Sequence, residues 1–192
     1  MILNKTIKSE GMIRKGRILS SFKLILLISA FLPGSMIAQS IQPTPRMSEG
    51  PYWKSGSPQR TVLYQQHDRG RKIEVSGKVL DISGGAISGT KIDIWQTDGN
   101  GAYDNTGFRF RGHVFANDSG KYRFKTVLPG EYPGRTPHIH IKLTAPDGKR
   151  LTTQLYFPEH DSRNQRDWLY DENLVVKWAS KTLARFDFIL KN

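Results

Sequence analysis

The sequence predicts an all-β fold, a β-sandwich of mainly antiparallel strands carrying long active-site loops. Short runs such as "KIEVSGKVLD", "KYRFKTVL" and "HIHIKLTA" alternate apolar and polar residues. A period of two is that of a strand, which sends successive side chains to opposite faces. Clusters rich in Gly, Asp and Asn, among them "ISGGAISG", "DGNG", "NDSG" and "PDGK", punctuate the runs at regular spacing, as in sandwiches and barrels. No heptad pattern and no internal repeat interrupts this rhythm.

Taken in order, residues 39–71 are rich in Pro, Gly, Ser, Gln and Arg and read as an extended arm. Strands are then expected at 72–81, 90–97, 108–116 and 121–128. Residues 129–137, "PGEYPGRTP", hold three prolines and two glycines and form an irregular loop. Strands follow at 138–145 and 151–157. Residues 158–181 are polar and mixed, with a short helix expected around 174–180, and 182–190 closes the domain as a strand. The sandwich domain is therefore drawn at 72–192.

Residues 1–38 read differently. Basic residues precede an apolar run from Leu24 to Leu32, broken at Pro33-Gly34 and followed by small Ala38. That order is a secretory signal, and it predicts a mature chain that begins at Gln39, is exported to the periplasm or the extracellular space, and has no stable membrane insertion. The run is short for a membrane span. A start at Met12 would give the signal a more ordinary basic region.

The chain of 192 residues is long enough for one domain with a real core. Its net charge of +12 comes from 29 basic and 17 acidic groups. Residues 1–38 hold six of those bases and one of the acids, so the remainder keeps 23 and 16, a net +7. No dense Lys/Arg run or aromatic–basic ladder points to nucleic acid, and the charge reads as scattered surface. The absence of cysteine excludes disulfides, thiolate metal sites and a cysteine nucleophile. A calcium loop beginning at Asp98 fails, because its sixth position is Tyr103 and its twelfth is Arg109.

His138 and His140 are the residues of most chemical interest. On a strand they share a face while Ile139, Ile141 and Leu143 enter the core. Such a pair serves a metal or is simply the polar side of the strand, and spacing alone leaves both open. Tyr132 and Arg135 lie just upstream in the stiff loop, and Tyr103 follows a Gly-rich turn beyond Trp95. His67, His113 and His160 have no partner spacing and read as surface residues.

The motifs "TPRMSEGPYW", "VSGKVLD", "IDIWQTDGNGAY", "DSGKYRFKTVLPGEYPGRTPHIH", "LTTQLYF" and "FDFIL", in that order, resemble the intradiol ring-cleaving dioxygenases. The resemblance implies one Fe(III) per chain, held by Tyr103, Tyr132, His138 and His140. It implies that Tyr132 gives way to substrate, that Arg135 faces developing negative charge, and that Gln154 lines the site. The substrates would be a catechol and O2, and the ring would open between the two hydroxylated carbons to give a muconate-type diacid. Alternatives from other classes are an exported, non-catalytic β-sandwich binding module and a zinc hydrolase built on the histidine pair. Only five residues separate Tyr132 from His138, too few to fold over a ligand. A wide-mouthed site for bulky or carboxylated catechols is therefore expected, unless the arm at 44–53 or a second subunit supplies the missing wall.

Overall fold

The computed structural model describes residues 41–191. The proposed signal segment lies outside the described residues.

Among the described residues, nine strands form two sheets. One sheet has the order β3-β2-β5-β6, from Arg111–Phe115 (β3), Lys91–Trp95 (β2), His138–Thr144 (β5) and Arg150–Tyr156 (β6). All its pairings are antiparallel. The other has the order β4-β1-β8-β7, from Lys121–Val127 (β4), Lys72–Asp81 (β1), Leu183–Arg185 (β8) and Lys177–Trp178 (β7). There β1 pairs antiparallel with β4 but parallel with β8, and also parallel with Phe188–Leu190 (β9). The inward positions of both sheets make one core, including Val75, Phe124, Ile92, Ile94, Ile139, Ile141, Leu143, Leu155 and Phe188. The expected sandwich is thus the observed one.

Two local expectations are corrected. The segment after β6 begins with a 3-10 turn at Pro158–His160, and its only α-helical turn is Asp161–Asn164. Residues 174–180 hold no helix. A 3-10 turn at Glu172–Leu174, capped by the Asp171 carboxylate, leads directly into β7. The last strand, expected to be continuous, divides between β8 and β9. At the break the Lys78 N–H donates to Asp187 Oδ1 (2.7 Å) and the Phe186 N–H donates to the Ser76 carbonyl (3.0 Å). A Cβ at Gly77 would lie 1.6 Å from the Phe186 oxygen, so only glycine admits that approach.

The arm is not loose. The Thr44 N–H donates to the Ile189 carbonyl and the Met47 N–H to the Thr152 carbonyl. The hydroxyl of Thr153 donates to the Pro45 carbonyl. Residues 44–48 are thereby fixed to β9 and β6 and carry residues 48–53 across the outer face of the β3-β2-β5-β6 sheet.

Candidate metal centre

The alternation of β5 holds. Ile139, Ile141 and Leu143 are fully buried in the core, and His138 and His140 lie together on the opposite face. That face is covered, for the two imidazoles are only 4% and 3% exposed. Trp95, opposite His140 in register on β2, stacks on its ring at 4.8 Å. From the other side Gly50 of the arm approaches, and a Cβ there would sit 3.5 Å from His140 Cε1.

Two loops bring the tyrosines to this shelf. Asp98 Oδ1 accepts from the N–H groups of Asn100 and Ala102, while the Asp98 carbonyl accepts from Gly130 N–H. Thr97 Oγ1 donates to the Gly130 carbonyl. Gly101 has φ +87°, and a Cβ there would strike the Glu131 oxygen at 1.7 Å. Only glycine lets these loops touch, and the touch sets Tyr103 beside Tyr132, with ring centroids 5.8 Å apart. In the second loop, Tyr132-Pro133-Gly134-Arg135 closes a β-turn with Arg135 N–H donating to the Tyr132 carbonyl (2.9 Å) and Gly134 at φ +77°. Proline then glycine at the central positions is the signature of a type II turn. It brings Tyr132 and Arg135 side by side.

The six residues expected from the sequence therefore meet. His138 Nε2 lies 3.0 Å from His140 Nε2. The Tyr103 and His140 rings are 6.5 Å apart. Arg135 donates through Nη2 to Gln154 Oε1 (2.6 Å) and to Tyr156 Oη (3.2 Å). Burial fixes the protonation states. It depresses the His138 pKa to about 4 and that of His140 well below the usual imidazole range, with the Arg135 charge adding to both. Burial also pushes the Tyr103 hydroxyl well above the usual phenol value. Each of these shifts favours the neutral form.

Sequence reasoning missed three contributors. Tyr52, quoted within "EGPYW" but given no role, stacks on Tyr103 at 4.1 Å and exchanges a hydrogen bond with the Tyr132 hydroxyl (2.9 Å). Arg111 on β3 donates to the Tyr52 carbonyl and lies 5.7 Å from the Tyr103 ring centre. Asp167 holds Arg135. An aromatic followed by Trp in a Pro/Gly arm was the available signal for Tyr52; Asp167 had none. Of the histidines read as surface residues, His67 is exposed, but His113 is half-buried and bonded to Ser57, and His160 Nε2 is buried.

The arm supplies the wall that the short Tyr132–His138 connection cannot. Gln154 Nε2 donates to the Ser48 carbonyl (3.2 Å). Lys142, two residues past His140 on the same face, pairs with Glu49 (2.6 Å) and places its ammonium 3.8 Å from the Trp53 ring centre. An open cleft of about 530 Å³ remains between Tyr132–Thr136 and Arg163–Asp167.

The Dioxygenase_C family of dioxygenases matches residues 48–182. The chain belongs to the intradiol ring-cleavage dioxygenase family. It is 29% identical over 139 residues to a catechol 1,2-dioxygenase of Pseudomonas sp. (strain EST1001), covering 58% of this chain and 46% of that protein. It is 36% identical over 107 residues to the protocatechuate 3,4-dioxygenase beta chain of Burkholderia cepacia, covering 46% of each. The chain thus spans about half the length of the curated relatives it matches. Among solved structures, it shares 44% identity and a TM-score of 0.75 with the dioxygenase domain of a dioxygenase–carbohydrate-binding protein fusion from Streptomyces sp. SirexAA-E. That match covers 78% of this chain and 99% of the other. Membership implies a metal cofactor.

Proposed function

We propose that this chain is a non-haem Fe(III) dioxygenase that opens catechol-type rings between the two hydroxylated carbons, placing both atoms of O2 in a muconate-type diacid. The observation that carries the reading is the facing of the two imidazole Nε2 atoms at 3.0 Å within a cage of tyrosines. Two ring nitrogens this close could both serve a single ion held between them. His138 Nδ1–H donates to the Thr136 carbonyl (2.7 Å), which leaves the lone pair on Nε2, as a ligand requires. Without an ion, two ring nitrogens at this distance must share one proton, and His140 Nδ1 is buried with no partner among the described residues. A cation between them would engage both lone pairs at once.

His138, His140, Tyr103 and Tyr132 would hold the ion. Phenolate oxygens suit hard Fe(III), and a bound cation reverses the penalty that burial places on an ionised Tyr103. The ferric ion, when bound, supplies the activation of the catechol ring towards O2. The protein does the rest. The Tyr132 phenolate oxygen would accept a catechol proton, and the resulting hydroxyl has a hydrogen-bond partner ready in Tyr52. Arg135 presents a positive charge to the electron-rich ring. The arm, Trp95 and Tyr52 keep bulk water from the imidazole side. The cleft beside Tyr132 and Arg135 is the route for a substituent on the catechol.

The test is purification of the full chain with iron, followed by metal analysis, visible spectroscopy and oxygen uptake with catechol and 4-substituted catechols. One iron per chain, a red-brown phenolate-to-Fe(III) band and catechol-dependent uptake are expected. A colourless, iron-free protein without uptake would favour a binding module and overturn the reading. Residues 1–38 are proposed to direct export, and N-terminal sequencing of the exported protein should begin at Gln39.

A further inference from the structure

We propose that Asp167 is the positioning residue that aims Arg135 at the substrate; this rests on the reading of Arg135 given above. After β6 the chain turns back through Pro158–His160 and Asp161–Asn164 and lies beside the Tyr132–Pro137 loop. Two buried side chains join the segments there. Asn164 donates through Nδ2 to the Phe157 carbonyl (3.1 Å) and accepts from Thr136 Oγ1 (2.7 Å). Asp167 accepts Arg135 Nε–H on both oxygens (3.0 and 2.9 Å), Thr136 N–H on Oδ2 (3.0 Å) and Leu169 N–H on Oδ1 (3.0 Å).

Each donor constrains the carboxylate, and the carboxylate constrains the guanidinium. The side chains of Asp167 and Arg135 are 1% and 13% exposed. Taking such a pair out of water costs several kcal/mol per ion, so burial of this kind is weak as a source of stability. What the pair provides is direction. With Nε held by Asp167, the guanidinium plane is fixed and Nη2 falls on Gln154 and Tyr156. Gln154 is fixed in turn by the Ser48 carbonyl, so one line of hydrogen bonds runs from Asp167 through Arg135 to the arm. Tyr156 belongs to the same network, its hydroxyl lying 2.9 Å from both Gln154 Oε1 and the Leu169 carbonyl. Asparagine cannot replace Asp167 here. Its oxygen serves one side, but its NH2 then faces Leu169 N–H or Thr136 N–H, and Arg135 Nε–H in either case, donor against donor.

The experiment is a double-mutant cycle on the iron-loaded enzyme, using Asp167→Asn, Arg135→Ala and the pair. Iron content and the visible band should match wild type in Asp167→Asn, because no proposed ligand is touched. Its kcat should fall about 10- to 100-fold, the usual cost of losing an orienting partner, with a smaller change in KM. In the Arg135→Ala background the same substitution should change kcat by less than about twofold, because Asp167 then has nothing to aim. Asp167→Glu, which keeps the charge, should recover part of the loss. If Asp167→Asn fails to accumulate, Asp167→Glu in the two backgrounds carries the test, with a loss expected only where Arg135 is present. Wild-type turnover in Asp167→Asn, or an equal loss in both backgrounds, would overturn the proposal. Failure of the iron reading would appear separately, as a wild-type protein without iron or colour.

Discussion

On β5, His138, His140 and Lys142 alternate with Ile139, Ile141 and Leu143; on β4, Lys121, Arg123 and Lys125 alternate with Tyr122, Phe124 and Thr126. The two strands carry the same binary pattern and bury the same side of it. Their other sides differ. The β5 imidazoles lie beneath the arm, whereas all three β4 cations are exposed. On that second face Lys78 stands opposite Lys121 and Lys177 opposite Arg185 in register, and among the described residues the only ion pair of these outward cations is Arg123 with Glu74. The open face tolerates like charges because water screens them. The covered face admits only groups that are neutral when buried or that find a partner. Alternation thus identifies the core side of a strand, while the residue types on the other side tell whether that side is solvent or a site.

The largest expected separation between the faces comes from the imidazoles. His138→Ala or His140→Ala should lose bound iron, colour and oxygen uptake together; a variant that keeps wild-type iron content would remove that residue from the ligand set. Next come the phenols. Tyr103→Phe and Tyr132→Phe should each shift or bleach the visible band, and an unchanged band in both would leave the tyrosines as packing residues. Removal of the ion by a chelator should lower the melting temperature. An ion present at 100 times its Kd adds about 2.7 kcal/mol, and substitutions on the open face should not alter that difference. Lys142→Met, which breaks the Glu49 pair and the Trp53 contact, should cost about 1 kcal/mol by denaturant titration. The smallest effect is expected from Lys121→Glu, within about 0.5 kcal/mol of wild type. A loss of several kcal/mol there would mean that the basic face is not simply solvated.

Strand positions were legible because each is a local pattern with a local cause. The histidine pair was legible for the same reason, since two rings two residues apart must share a face. The meeting of Tyr103 and Tyr132 became legible only through the family's motifs, because it depends on two loops touching at Gly101 and Glu131. Asp167 was not legible. It stands in a segment without periodicity, and its partners Arg135 and Thr136 are about thirty residues away in sequence. The expected helix at 174–180 fell to tertiary pairing, as Trp178 is drawn into register with Ala184. The arm that covers the imidazoles is held by main-chain and side-chain bonds to β6 and β9, which leave no mark in composition.

Those bonds also impose an order in time. Ile189 N–H donates to Thr44 Oγ1 across 145 positions, Gln154 to Ser48 across 106, and Tyr52 and Tyr132 meet across 80. Contacts so distant along the chain form slowly, because each must close a long loop before it is rewarded. The imidazole shelf needs only β2, β5 and β6, and β5 and β6 are hairpin neighbours. A refolding chain is therefore expected to assemble the imidazole shelf before residues 48–53 close over it.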